Sequence, residues 1–219
     1  MKIKVCGMKY PQNISEIAAL QPDYMGFIFY EKSPRYVLSD PNFQLSTLNF
    51  QLTKKVGVFV NAGIDYIMET ITKYNFDFVQ LHGTETVEFC KELSKTVPVI
   101  KAFNISKVSD FEQTKLYGNV CNYFLFDTKT DLSPNPSPQE RGVYGGSGQK
   151  FDWDILNAYK GDTLFFLSGG ISPDDTDRIK EIQHPKLHGV DLNSRFETEP
   201  GLKNIGLIEL FIKQINTQI

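Results

Sequence analysis

The stretch 55-KVGVFVNAGIDYIMETITKYNFDFVQL-81 holds two short apolar runs, KVGVFV (55–60) and FDFVQL (76–81), around a longer amphipathic segment, IDYIMETITKY (64–74). Both runs are apolar at consecutive rather than alternating positions, the pattern of strands buried on both faces. A helix-period segment between two such strands calls for parallel pairing. The same unit recurs along the chain. Further strand-like runs are IKVC (3–6), YMGFIF (24–29), VPVIKAF (97–103), NYFLFD (122–127), TLFFLS (163–168) and LHGVDL (187–192). Helix-like segments at 11–20, 85–96, 108–117, 152–160, 173–182 and 203–215 lie between or after them. In 85–96, Val87, Cys90 and Leu93 recur three apart on one face. The segment 39–52 is polar and poor in strong helix formers, so the helix between the second and third strands is the least marked.

Eight strand-and-helix units in 219 residues fit one α/β domain spanning 1–219, a (β/α)8 TIM barrel. A doubly wound open sheet is the alternative architecture. One segment breaks the rhythm: KTDLSPNPSPQERGVYGGSGQK (129–150), after the sixth strand, is too polar for a strand and too rich in Pro and Gly for a helix. It reads as a long functional loop.

The composition narrows the function classes. With 41% hydrophobic and 13% aromatic residues the chain can bury a full core, and a net charge of -3 gives no reason to expect nucleic acid or an anionic membrane as partner. No run approaches the roughly 18 apolar residues of a membrane span, and the first residues lack a signal peptide's apolar core, so a cytoplasmic location is expected. The three cysteines, Cys6, Cys90 and Cys121, have no metal-type spacing and are expected to stay reduced. Cys90 and Cys121 read as packing thiols.

In a parallel barrel the chemistry sits at the C-terminal strand ends and in the loops that follow. Those positions carry Cys6-Gly7, Ser33-Pro34-Arg35, Asn61, Gln80 to Gly83, Asp127-Thr128, Ser168-Gly169-Gly170 and Asp191 to Arg195. Each has a plainer reading: Cys6 as a core thiol, Asp127 as a turn cap, Arg35 as a surface residue, His82 as a satisfied rim histidine. The glycines are more informative together. Gly145, Gly146 and Gly148, then Gly169-Gly170, then Asn193-Ser194 supply backbone N–H groups in three neighbouring loops, where barrels commonly hold a phosphate.

Taken in order, KVCGM (4–8), GFIFYEKSPRYV (26–37), VGVFVN (56–61), VQLHG (79–83), FDT (126–128), YGGSGQKFDW (144–153), LSGGISPDD (167–175) and GVDLNS with EPGLK (189–203) resemble the phosphoribosylanthranilate isomerase family over essentially the whole chain. The resemblance implies a (β/α)8 barrel and an Amadori rearrangement of N-(5-phosphoribosyl)anthranilate in tryptophan biosynthesis. It implies no cofactor and no metal, a phosphosugar as the small-molecule partner, and a monomer or homodimer. Two departures stand out. Asn193-Ser194-Arg195 replaces the family's usual Ser-Ser-Gly, and the loop 129–143 is longer than usual through TDLSPNPSPQER.

That reaction needs an acid to open the ribose ring and a base to remove the C2 proton, and the resemblance places Asp127 and Cys6 in these roles. A thiolate base works best with its pKa brought down toward neutrality, and an acid carboxyl must hold its proton near pH 7. Arg35 suits the anthranilate carboxylate in two-point contact. Asp191 is expected on a sugar hydroxyl, Gln80 and His82 on the wall of the site, and Gly146, Gly148, Gly169, Gly170, Asn193 and Ser194 around the phosphate. A phosphosugar epimerase, a related lyase or synthase, and an inactive phosphosugar-binding scaffold are the competing readings. The enzymes among them need metal ligands or a Glu or Lys acid-base group, for which Lys101 is the only lysine to contend.

Overall fold

The computed structural model describes residues 1–40, 43–45, 50, 52–128 and 153–217. Eight parallel strands close into a barrel in sequence order: β1 Lys2–Cys6, β2 Tyr24–Ile28, β3 Lys54–Phe59, β4 Phe78–Leu81, β5 Val99–Asn104, β6 Tyr123–Asp127, β7 Phe165–Ser168 and β8 Leu187–Leu192. All eight expected strands are present, and the open-sheet alternative falls. The reason for their consecutive apolar residues is visible in β6. Tyr123 and Leu125 point into the barrel while Phe124 and Phe126 join the outer core beneath the helices. The inner cluster comprises Cys6, Tyr24, Val56, Val58, Ile100, Ala102, Leu125 and Phe166, so the barrel is filled rather than hollow.

Around the barrel run α1 Pro11–Ala19, α2 Ile64–Tyr74, α3 Val87–Leu93, α4 Thr176–Lys180 and α5 Ile205–Asn216. The α3 helix starts later than the expected 85–96 because the Thr86 side chain caps it, accepting from the Phe89 N–H at 3.2 Å. Segments expected as helices at 108–117 and 152–160 form tighter 3-10 turns over Val108–Leu116 and Trp153–Ala158. In the first of these the two buried residues, Phe111 and Thr114, are three apart, the spacing of a helix with three residues per turn. The expected helix 173–182 begins as a 3-10 turn, Pro173–Asp175, before α4. Between β2 and β3 there is a short turn, Val37–Ser39. The chain also makes a small hairpin, β9 Glu197–Glu199 with β10 Leu202–Lys203, between β8 and α5. No helix among the described residues is long and apolar enough to cross a membrane. The long segment 129–150 lies outside the described residues.

Closure joins β1 to β8 with Lys4 opposite Asp191. The β8 strand is irregular: Phe165 pairs with Leu187 but Phe166 with Gly189, leaving His188 as an extra residue. Strict alternation would send His188 and Asp191, three apart, to opposite faces. The bulge shifts the phase by one residue, so both point inward. His188 closes the lower end of the barrel, with ring centroids 4.6 Å from Tyr123 and 5.0 Å from Phe166 and its Nε2 3.1 Å from the Tyr24 hydroxyl. Gly189 allows the close approach to β1, because a Cβ there would lie 2.2 Å from the Lys2 carbonyl oxygen. Gly189→Ala is therefore expected to destabilise the fold by about 1–3 kcal/mol through forced separation of β1 and β8. Denaturant unfolding checks this, and an unchanged midpoint would show that the seam is not so tightly packed.

Candidate active site

The C-terminal strand ends form one cavity lined by Cys6, Ile28, Val58, Gln80, His82, Asp127, Ser168, Gly169, Gly170, Ile171, Asp191, Asn193 and Ser194. Nine residues picked out from the sequence meet here: Cys6, Gln80, His82, Asp127, Asp191, Gly169, Gly170, Asn193 and Ser194. Gly146 and Gly148 lie outside the described residues.

The alternation of each strand sets which side chains enter. Cys6 ends β1 on its inner face and is buried at the cavity floor. Burial pushes its thiol up, opposed chiefly by Lys4, raised further by Asp191 and lowered again by Lys203. The thiol is thus raised rather than lowered toward neutrality as expected, because desolvation of the charged form outweighs the neighbouring ammoniums. Two residues before Cys6, on the same inner face, lies Lys4, a lysine outside the residues expected in the site. Its Nζ donates to Asp191 Oδ1 at 2.9 Å; the Lys4 side chain has no exposed surface, and Asp191 is buried apart from the edge it shows to the cavity. The period of two in KIKVC was the available signal, since it puts Lys4 directly below Cys6. Asp191 is more occupied than a free sugar-binding carboxylate: its second oxygen lies 3.5 Å from the Ser168 hydroxyl donor.

Lys101, the expected contender, belongs elsewhere. Its Nζ donates to the carbonyls of Gly83 at 2.8 Å and Ala102 at 3.2 Å and pairs with Glu85 at 3.2 Å. Glu85 in turn accepts from the Asn61 N–H at 2.9 Å and from the Gly83 N–H at 3.0 Å. This buried pair ties together the loops after β3 and β4 and leaves Glu85 outside the helix predicted to contain it.

Across the cavity from Cys6, Asp127 ends β6. His82 Nε2 lies 3.8 Å from its Oδ2, and Gln80 Nε2 lies 3.3 Å from His82 Nδ1. With the amide N–H donating to Nδ1, the imidazole carries its proton on Nε2, facing Asp127. Desolvation lowers the His82 pKa, against the pull of Asp127 and Asp191, which favours the neutral ring near pH 7. Gln80 Oε1 is buried with no hydrogen-bond partner among the described residues. Beside Asp127, after the neighbouring β7, Gly169 and Gly170 have φ of 95° and 70°, a left-handed pair in which glycine avoids Cβ strain. Successive amides in such a turn form a concave anion site.

Arg35 stands apart from the cavity lining. Its fork is filled by Glu197 of β9, with Nε 2.9 Å from Oε1 and Nη2 2.5 Å from Oε2. Lys203 of β10 donates to the same carboxylate at 2.6 Å and to Asn193 Oδ1 at 2.9 Å. Burial depresses the Lys203 ammonium, with Glu197 opposing. For Glu197, burial alone would raise the carboxyl, but hydrogen bonds from Arg35 and the Lys203 charge outweigh it and hold the pKa below the ordinary 4.5. The folded chain binds this proton more weakly than the unfolded chain. The stabilisation is therefore complete above about pH 4.5 and lost as pH falls through the depressed folded value. Glu197→Gln should flatten this part of the acid arm of a stability profile measured by urea unfolding at a series of pH values. An arm of unchanged slope would show that the cluster does not contribute.

The model of the N-(5'-phosphoribosyl)anthranilate isomerase family matches residues 3–214. A relative from Parabacteroides distasonis, named N-(5'-phosphoribosyl)anthranilate isomerase, is 50% identical over 217 residues, 98% of this chain and 93% of its own. Among solved structures, a phosphoribosyl anthranilate isomerase in complex with reduced 1-(o-carboxyphenylamino)-1-deoxyribulose 5-phosphate is 27% identical, with a TM-score of 0.78 and 98% of both chains covered. A structure of monomers generated from the dimeric Thermotoga maritima enzyme is 25% identical, with a TM-score of 0.74 and full coverage of both chains.

Proposed function

The chain belongs to the N-(5'-phosphoribosyl)anthranilate isomerase family, and from that premise we infer how its own residues perform the reaction. It catalyses the Amadori rearrangement of N-(5-phospho-β-D-ribosyl)anthranilate to 1-(2-carboxyphenylamino)-1-deoxy-D-ribulose 5-phosphate, a step of tryptophan biosynthesis. The observation that carries the assignment of roles is the convergence of Cys6 and Asp127, from β1 and β6, on one cavity beside the Gly169-Gly170 turn.

Asp127 is assigned as the acid. It gives a proton to the ribose ring oxygen as the C1–O bond breaks and the anilino nitrogen forms an iminium. Cys6, as thiolate, then removes the C2 proton. The C–H electron pair becomes the C1–C2 double bond, the iminium electrons return to nitrogen, and the enolamine relaxes to the ketose. The iminium beside Cys6 adds positive charge at the moment of transfer and offsets the burial that holds the resting thiol protonated. His82, held by Gln80, keeps an N–H toward Asp127. The phosphate is assigned to the amides of Gly169 and Gly170 with Asn193 and Ser194, completed by Gly146 and Gly148. Asp191 is assigned to a sugar hydroxyl, with Gln80 Oε1 as a further acceptor.

Arg35 is assigned to the anthranilate carboxylate. Glu197 already holds Nε and Nη2 in the two-point contact that such a carboxylate would make, so on this assignment the substrate carboxylate takes Glu197's place. All these groups come from one chain, so the chemistry requires no second copy, whether the protein is a monomer or a homodimer. We place the enzyme in the cytoplasm, as one barrel domain.

Cys6→Ala should leave the fold intact and lower kcat by at least the ~10²-fold typical of losing a general base. Asp127→Asn keeps shape and hydrogen bonding but delivers no proton, so kcat should fall roughly 10²–10⁴-fold with little change in Tm. The assay is loss of substrate fluorescence. Near-normal turnover in either variant removes that residue from its role. Arg35→Met should act mainly on KM, because a carboxylate contact is shared by ground and transition states. A collapsed kcat at unchanged KM would contradict the assignment.

A further inference from the structure

Lys4 moves no proton in the scheme above, yet it is a lysine with no exposed surface at the centre of the barrel. Lysines are almost never fully buried without a partner, and an ion pair with Asp191 alone would satisfy the charge. The ammonium also lies close to the Cys6 sulfur, on the same inner face of β1, near enough for each to shift the other's ionisation. Both atoms crowd the side of β2 where Gly26 has no side chain. A Cβ there would lie 2.7 Å from Cys6 Sγ and 3.2 Å from Lys4 Nζ. The Lys4 side chain has little freedom, since Asp191 Oδ1 fixes its end at 2.9 Å.

We propose that Lys4 is a positioning residue of the isomerase reaction: its ammonium, anchored by Asp191, holds the Cys6 sulfur at the cavity floor and favours the thiolate that takes the ribose C2 proton. This rests on the assignment of Cys6 as the base. The proton passes from C2 to Sγ, and Lys4 keeps its three protons throughout. Its pKa is raised, with Asp191 and Cys6 outweighing the burial that would lower it, so it serves as a fixed charge and not as the base.

The charged groups around the sulfur are few. Lys4 on β1 acts most strongly in favour of the thiolate, Asp191 on β8 opposes it, and Lys203 on β10 adds a weaker favourable charge. His82 and Asp127 line the cavity above, and β2 contributes only the uncharged Gly26 at the contact. Removing the Lys4 charge leaves burial and Asp191 acting together against ionisation.

The test is the pH dependence of Cys6 alkylation by iodoacetamide, with Cys6 resolved from Cys90 and Cys121 by peptide mass mapping. It is measured in the wild type and in Lys4→Gln, which keeps an N–H for Asp191 but removes the charge. The alkylation midpoint should rise by about one to three pH units. Turnover near pH 7 should fall roughly 10²-fold, recovering in part at higher pH, with KM little changed. A residue that only supports the fold would lower activity without moving the midpoint. If Lys4→Gln does not fold, Lys4→Gln/Asp191→Asn removes both charges of the pair and carries the same measurement, with a smaller rise expected. An unmoved midpoint in the folded variant, with Cys6→Ala inactive, overturns the proposal alone. Full turnover by Cys6→Ala overturns the base assignment and this proposal with it.

Discussion

The barrel closes around a buried ion pair. Lys4 on the first strand and Asp191 on the last face each other across the seam, with their charged ends 2.9 Å apart and buried. Removing one partner of such a pair typically costs about 3–5 kcal/mol, because the other charge is left without solvent or counter-ion. The pair meets only because β8 carries an extra residue at His188, which turns Asp191 inward while His188 packs among the aromatic rings at the lower end. One bulge thus serves both the packed floor of the barrel and the charged layer beneath the cavity.

Above that layer, two further buried ionic clusters hold the loops in place. Glu85 and Lys101 brace the ends of β3, β4 and β5 by binding backbone amides and carbonyls. Glu197 gathers Arg35 from the loop after β2 and Lys203 from β10. The backbone of Lys203 is fixed against α1 by Asn13, which donates to its carbonyl at 2.9 Å and accepts from its N–H at 2.8 Å. A catalytic cavity built from loops needs such anchors, because loops without them lack the rigidity that orientation of substrate demands. Here the anchors lie beside the cavity wall, and the reacting groups themselves sit on strand ends.

The electrostatics of the cavity are arranged in opposition. Burial pushes the Cys6 thiol up, while Lys4 and Lys203 limit that penalty and Asp191 adds to it. Desolvation lowers the His82 pKa although Asp127 and Asp191 pull it up.

The sequence by itself determined the eight strands, because a strand buried on both faces must be apolar at consecutive positions, and that pattern needs no knowledge of neighbours. It also placed Cys6, Gln80, His82, Asp127, Gly169, Gly170, Asp191, Asn193 and Ser194 at one end, since parallel strands all point their C-terminal ends the same way. Helix boundaries were less legible: Glu85 looks helical locally, but its carboxylate binds loop amides and Lys101 instead. Strand face separates the two lysines, since the period of two puts Lys4 with Cys6 inside the barrel and Lys101 opposite Ile100 and Ala102, but only the tertiary structure decided what each ammonium meets. It alone showed that Arg35 meets Glu197, separated by 162 positions, and that Asp191 faces inward through a bulge that no local pattern announces. Local residue order sets which segments bury both faces. Which charges meet inside depends on register and closure, and these exist only once all eight strands are in place.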